Sequence, residues 1–142
     1  MSLSQFISTP GQPPATTPPA TTLSLANQFA GLYTGLGYAA YALSAADGPV
    51  KDDDSIDTQL ILVSHPRGKF ILQAFLTMQR HQVPAQAAYA FALRRFADNR
   101  MIFSQLLKRQ FTSILLRLTG NYAMSRGAGG FINQFRRDLR RL

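Results

Sequence analysis

The chain contains no cysteine, no tryptophan and no glutamate. Without Cys, disulfide frameworks, thiolate metal sites and thiol nucleophiles are excluded. Two His and seven acidic residues, all of them Asp, offer little general acid–base chemistry to an enzyme. Charge is missing by region as well, since residues 1–46 carry no charged side chain. What the chain does have is Arg, which supplies twelve of its fifteen basic residues and leads to a net charge of +8. At 142 residues and 46% apolar, it has material for one packed domain with a tail. Its charge balance favours a polyanionic partner over an acidic small molecule.

Four segments follow from the distribution of charge and proline. Residues 1–22 read as an extended arm. Their stretch STPGQPPATTPPATT repeats PPATT in tandem, and its five Pro favour polyproline II geometry over a core element. Such an arm is expected to pack on other subunits. Residues 23–46 (LSLANQFAGLYTGLGYAAYALSAA) read as an apolar buried helix, with Gly31 and Gly35 allowing close backbone approach. The length would span a bilayer, but Asn27, Gln28 and the glycines weaken insertion, and no basic residue flanks the segment. Residues 47–57 form an acidic linker with five Asp and Lys51. Residues 58–142 form a basic helical domain, in which fourteen basic residues from Arg67 to Arg141 face only Asp98 and Asp138.

Where the acidic linker meets that domain, 56–63 is the one segment with strand character, and it reads equally as a short helix capped by Ser55. The apolar spacing predicts a helix over 66–82, capped by Ser64 or His65 near Pro66. A second follows Pro84 through AQAAYAFALRRFA, and Asp98-Asn99 marks its end. A third spans roughly 100–119, with Gly120-Asn121 as its stop. After a loose stretch at 121–130, Phe131–Leu142 forms a last amphipathic helix. The expected fold class is all-α, a small helical bundle with an extended Pro/Thr-rich N-terminal arm.

No constellation in the sequence supports catalysis. Asp53-Asp54-Ser55-Ile56-Asp57 matches the DDxxD pattern of magnesium-binding isoprenoid enzymes, but those enzymes' second acidic motif is missing. The segment reads as a solvated linker. It is not an EF-hand either, lacking the Gly and the terminal Glu. His65 and His81 stand sixteen residues apart with no Cys or nearby Asp, which suits caps or surface positions. No Gly-x-Ser-x-Gly elbow activates a serine. Arg126-Gly-Ala-Gly-Gly130 has no preceding strand and no Lys-Ser/Thr pair, so it reads as a hinge. The expectation is a protein without enzymatic activity, cofactor or metal.

The basic residues carry the functional signal. Arg94 and Arg95 follow Tyr89 and Phe91. Arg100, Lys108, Arg109 and Arg117 recur down the next helix and are expected to share a strip. The last helix sets Phe131, Phe135, Leu139 and Leu142 on one side and Arg136, Arg137, Arg140 and Arg141 on the other. A solvated helix face is the ordinary alternative, but the acidic partners that neutralise such faces are missing here. Unpaired Arg rows repel one another unless anions lie against them. These ten residues are the candidate nucleic-acid contacts, reading shape and charge rather than bases.

The stretch Gln82–Leu93 (QVPAQAAYAFAL), followed by Arg94-Arg95, resembles a segment in the coat proteins of rod-shaped and filamentous archaeal viruses. Chain size, scarcity of Glu, the helical pattern and the N-terminal arm are similar too. The resemblance covers residues 82–95 closely. It implies a virion coat subunit whose helices wrap and dehydrate double-stranded DNA in an A-like form, beside copies of itself or a sister subunit. The chain departs from that pattern in its acidic run 52–57 and in an arm without basic residues. The overall expectation is a structural protein of a nucleoprotein assembly. The alternative is a membrane-active virion or complex subunit, with 23–46 inserted in lipid and the terminal basic helix lying on anionic headgroups.

Overall fold

The computed structural model describes residues 20–46, 59, 67–121 and 126–142. The first nineteen residues lie outside the described residues, as do 47–57 with the DDxxD match, Ser64, His65 and Pro66, and all of 56–63 save Gln59, which is helical. The described chain is an all-α bundle of five helices and one 3-10 turn. The helices are α1 (Ala20–Ser44), α2 (Gly68–Arg80), α3 (Ala85–Asp98), α4 (Gln105–Asn121) and α5 (Arg126–Arg140), with the 3-10 turn at Arg100–Ile102.

Helix α1 begins at Ala20, immediately after the second Pro pair in the sequence, so Ala20, Thr21 and Thr22 of the expected arm are helical. Proline is compatible with the start of a helix but not with its interior. The middle of α1 is buried on most sides: Leu32, Leu36, Ala39, Ala40, Ala42 and Leu43 are all fully or almost fully buried, and only Thr34 and Tyr38 are partly open. A helix that is apolar all round belongs inside a protein or a membrane. Here it lies against both α2 and α3.

Glycine makes those two approaches possible. A Cβ on Gly37 would fall 2.3 Å from the Ile71 carbonyl oxygen and 2.6 Å from the Ala74 Cβ of α2. A Cβ on Gly35 would fall 2.8 Å from the Phe96 ring of α3. Small residues answer from α3, where Ala88 and Ala92 are fully buried one turn apart, with Phe96 following. No described helix is long and apolar enough to cross a membrane. From Gly31 to Leu43 most of the segment expected at 23–46 packs on protein, while Leu25, Ala26 and Asn27 are exposed.

The turn after α2 closes with two bonds, from Gln82 N to Gln79 O at 3.0 Å and from Val83 N to Met78 O at 3.2 Å. This is the Schellman arrangement, with Gln82 in the left-handed position at φ 50° that glycine usually fills. The Val83 carbonyl accepts the Tyr41 hydroxyl of α1 at 2.7 Å, so the turn is tied to the central helix. Pro84 then starts α3, as its position predicts.

The helix expected over 100–119 does not begin at 100. Asn99 caps α3, donating its side-chain amide to the Arg95 carbonyl at 2.7 Å, and a 3-10 turn follows. Phe103 turns into the core, and Ser104 opens α4 by accepting the Leu107 N–H at 3.2 Å. The buried positions Phe111, Ile114, Leu115 and Leu118 then follow one helix face. Helix α5 also departs from expectation, beginning at Arg126 rather than Phe131. The glycine-rich stretch read as a hinge is its first turn. Glycine lowers helix propensity by roughly 1 kcal/mol without forbidding the conformation.

An aromatic cluster joins the layers. Phe96 is fully buried, with ring centroids of Phe103, Phe111 and Phe135 at 5.1, 5.9 and 6.0 Å. Through these rings α3, the 99–104 connection, α4 and α5 share one core. The apolar side of α5 (Ile132, Phe135, Leu139) is buried there. That face is therefore packed on protein, and the side of α5 left to solvent is the basic one.

Candidate functional site

Asp98 and Asp138 are the only acidic side chains among the described residues, against fourteen basic ones. Asp138 accepts the Tyr89 hydroxyl and lies 4.0 Å from the guanidinium of Arg141. The Tyr89 phenol is pushed well above its ordinary value, first by burial, then by this hydrogen bond and the Asp138 charge, with Arg137 opposing. Tyr89 also stands edge-on to Phe131, with ring centroids 5.0 Å apart. These contacts pin α5 to α3 and fix which side of α5 faces α4.

That orientation brings four expected residues to one place. Lys108 and Arg109, on the first turn of α4, and Arg136 and Arg140, on the last turns of α5, line a groove of about 350 Å³. Its apolar lining is Leu116 and Leu139, and Leu116 is unusually open for a leucine at 42% exposed. Gln105, Thr112 and Ser113 add polar groups. No carboxylate borders the groove among the described residues. Lys108 is partly held, its ammonium 5.7 Å from the centre of the Phe103 ring. The Thr112 hydroxyl donates back to the Lys108 carbonyl at 2.9 Å, which leaves its oxygen as an acceptor. Such a lining can hold a multivalent anion that also presents some apolar surface.

The remaining expected residues do not join this cluster. Arg94 is exposed on α3. Arg95 leans on α1, with its guanidinium 5.9 Å from the centre of the Tyr38 ring. Arg100 sits on the 3-10 turn and is cut off from the period of α4 by Phe103 and Ser104. Arg117 follows Lys108 by nine residues, about two and a half turns, which places the two on opposite sides of α4. The continuous strip expected from 100 to 117 is therefore not formed. Arg137 and Arg141 take the other flank of α5, toward Asp138.

The groove itself escaped the sequence reading. Gln105, Thr112, Ser113 and Leu116 carry no motif, and only the docking of α5 on α4 gives them a common role. The one available signal is amphipathicity: Arg136 and Arg140 stand one turn apart beside Leu139, at the edge of the apolar face of α5. Among the described residues no group of three metal-ligating side chains comes together. Comparison with family models, with curated protein sequences and with solved structures returns no match for this chain.

Proposed function

We propose that this protein is a non-enzymatic structural component of a nucleoprotein assembly, a virion coat subunit that neutralises nucleic-acid phosphates through its basic helical domain. One observation carries the reading: four cationic side chains from two helices converge on one groove with no carboxylate in its lining. A cationic surface with no carboxylate among its described lining residues repels itself and is relieved by a polyanion. Further exposed arginines, among them Arg94, Arg100 and Arg117, extend the positive field around the bundle and steer a long polyanion toward it. The nucleic acid would be double-stranded DNA held by its backbone, and the partners would be copies of the chain itself or a sister subunit.

Such contacts carry no base information, so affinity should depend on charge density and not on sequence. Titration of the full chain into duplexes of equal length and unrelated sequence tests this. Equal affinities within a factor of about three are expected, since one specific base pair is worth about 1–3 kcal/mol. A strong preference for one duplex, or no binding to any, would contradict the reading.

A further inference from the structure

We infer that the groove between α4 and α5 is a phosphodiester-binding site that takes a short run of one nucleic-acid strand. The inference rests on the reading proposed above and narrows it from a basic surface to one site. Arg109, Arg136 and Arg140 bring guanidinium forks, which bind phosphate oxygens in pairs, and Lys108 adds a point charge. Arg136 and Arg140, four residues apart on one helix, repel one another by a few tenths of a kcal/mol when no anion is present. An anion between them converts that repulsion into attraction.

Size and polarity narrow the ligand further. About 350 Å³ is at the small end of ligand sites. It suits one or two phosphates with the sugar between them, so a duplex lying across the open groove would seat one strand there. The exposed Leu116 and the neighbouring Leu139 offer an apolar wall to the sugar face, while phosphate oxygens meet the cations at the rim. Arg137 and Arg141 face the opposite flank of α5 with Asp138, and Arg95 stacks toward Tyr38, so the same chemistry is not repeated there.

Two triple variants of the full chain test the assignment against a short duplex DNA. The groove variant carries Arg109→Gln, Arg136→Gln and Arg140→Gln. The outer variant carries Arg94→Gln, Arg100→Gln and Arg117→Gln. All six side chains are exposed, and far-ultraviolet circular dichroism checks that both variants keep the helical fold. The groove variant should lose about three units from the slope of log K against log[salt], and about a hundredfold in affinity near 0.15 M salt. The outer variant should change affinity by less than about threefold, and a groove triple Lys variant should keep most of the slope.

Equal losses in the two variants would overturn the groove assignment while leaving a charge-driven DNA binder in place. Absence of salt-dependent binding in the unaltered chain would instead end the wider reading and this one with it. Vesicles containing phosphatidylglycerol form the last arm. Loss of vesicle binding by the groove variant with DNA binding intact would assign the groove to lipid phosphate and overturn the inference.

Discussion

The Tyr89 hydroxyl donates to the Asp138 carboxylate across 49 residues of chain, from the half-buried side of α3 to the last turns of α5. It adds a directional contact to the apolar packing of Ile132, Phe135 and Leu139, which faces α5 into the core. Together they hold Arg136 and Arg140 on the groove. Structure and proposed function meet at this pair.

Tyr89→Phe should keep the ring packing on Phe131 and lose the bond, leaving the partly buried Asp138 one donor short. A destabilisation of about 1–2 kcal/mol is expected in urea denaturation. The pH dependence follows from direction. Burial raises the folded-state values of both Tyr89 and Tyr41. Their contribution to stability is complete below the ordinary tyrosine value near 10 and declines as pH rises beyond it. Tyr89→Phe should flatten that alkaline loss, and an unchanged profile would remove Tyr89 as its source.

Two glycine-to-alanine substitutions should have opposite signs. At Gly37 a Cβ would meet the backbone of α2 at 2.3 Å, so Gly37→Ala should cost about 1–3 kcal/mol despite its better helix propensity. At Gly130 a Cβ meets nothing within 4 Å, so Gly130→Ala should stabilise by about 0.5–1 kcal/mol. Thermal melts of the two variants read both signs directly.

The left-handed Gln82 gives a third case. Its bonds to α2 and its neighbour's bond to Tyr41 hold it in a conformation that costs a non-glycine residue about 1–2 kcal/mol. Gln82→Gly should raise the melting temperature, by an amount reduced by glycine's greater freedom in the unfolded chain. A lower melting temperature would mean that the Gln82 side chain makes a contribution larger than its backbone strain.

Much of the bundle could be read from the sequence, for identifiable reasons. Pro84 followed by an Ala-rich period announced α3 within a residue of its bounds, and the uncharged stretch around Leu32–Leu43 announced a buried helix. The break before α4 was hidden because Arg100–Ile102 continues the apolar period, and the capping role of Ser104 becomes visible only once Phe103 turns inward. Glycine propensity concealed the first turn of α5. The groove could not be read at all. Its two halves lie in different helices, and their juxtaposition draws on the core packing of α5 and on a tyrosine in a third.

Removal of residues 1–19, which end where α1 begins, tests the role proposed for the N-terminal arm. The truncated chain should melt within a few degrees of the full chain but assemble poorly with itself and nucleic acid. Normal assembly, followed by light scattering, would contradict a role for the arm between subunits.

The central claim is that cations of the basic domain displace counterions from nucleic-acid phosphates. Its most direct measurement is the affinity of the full chain for one duplex DNA across a series of salt concentrations. Four groove cations at phosphates give a slope of log K against log[salt] of about −3.6, and the long-range field of the outer arginines adds only a small increment. A slope of −3.6 or steeper, the same for unrelated sequences, is the predicted result. A slope near zero, or no binding at low salt, would contradict the account.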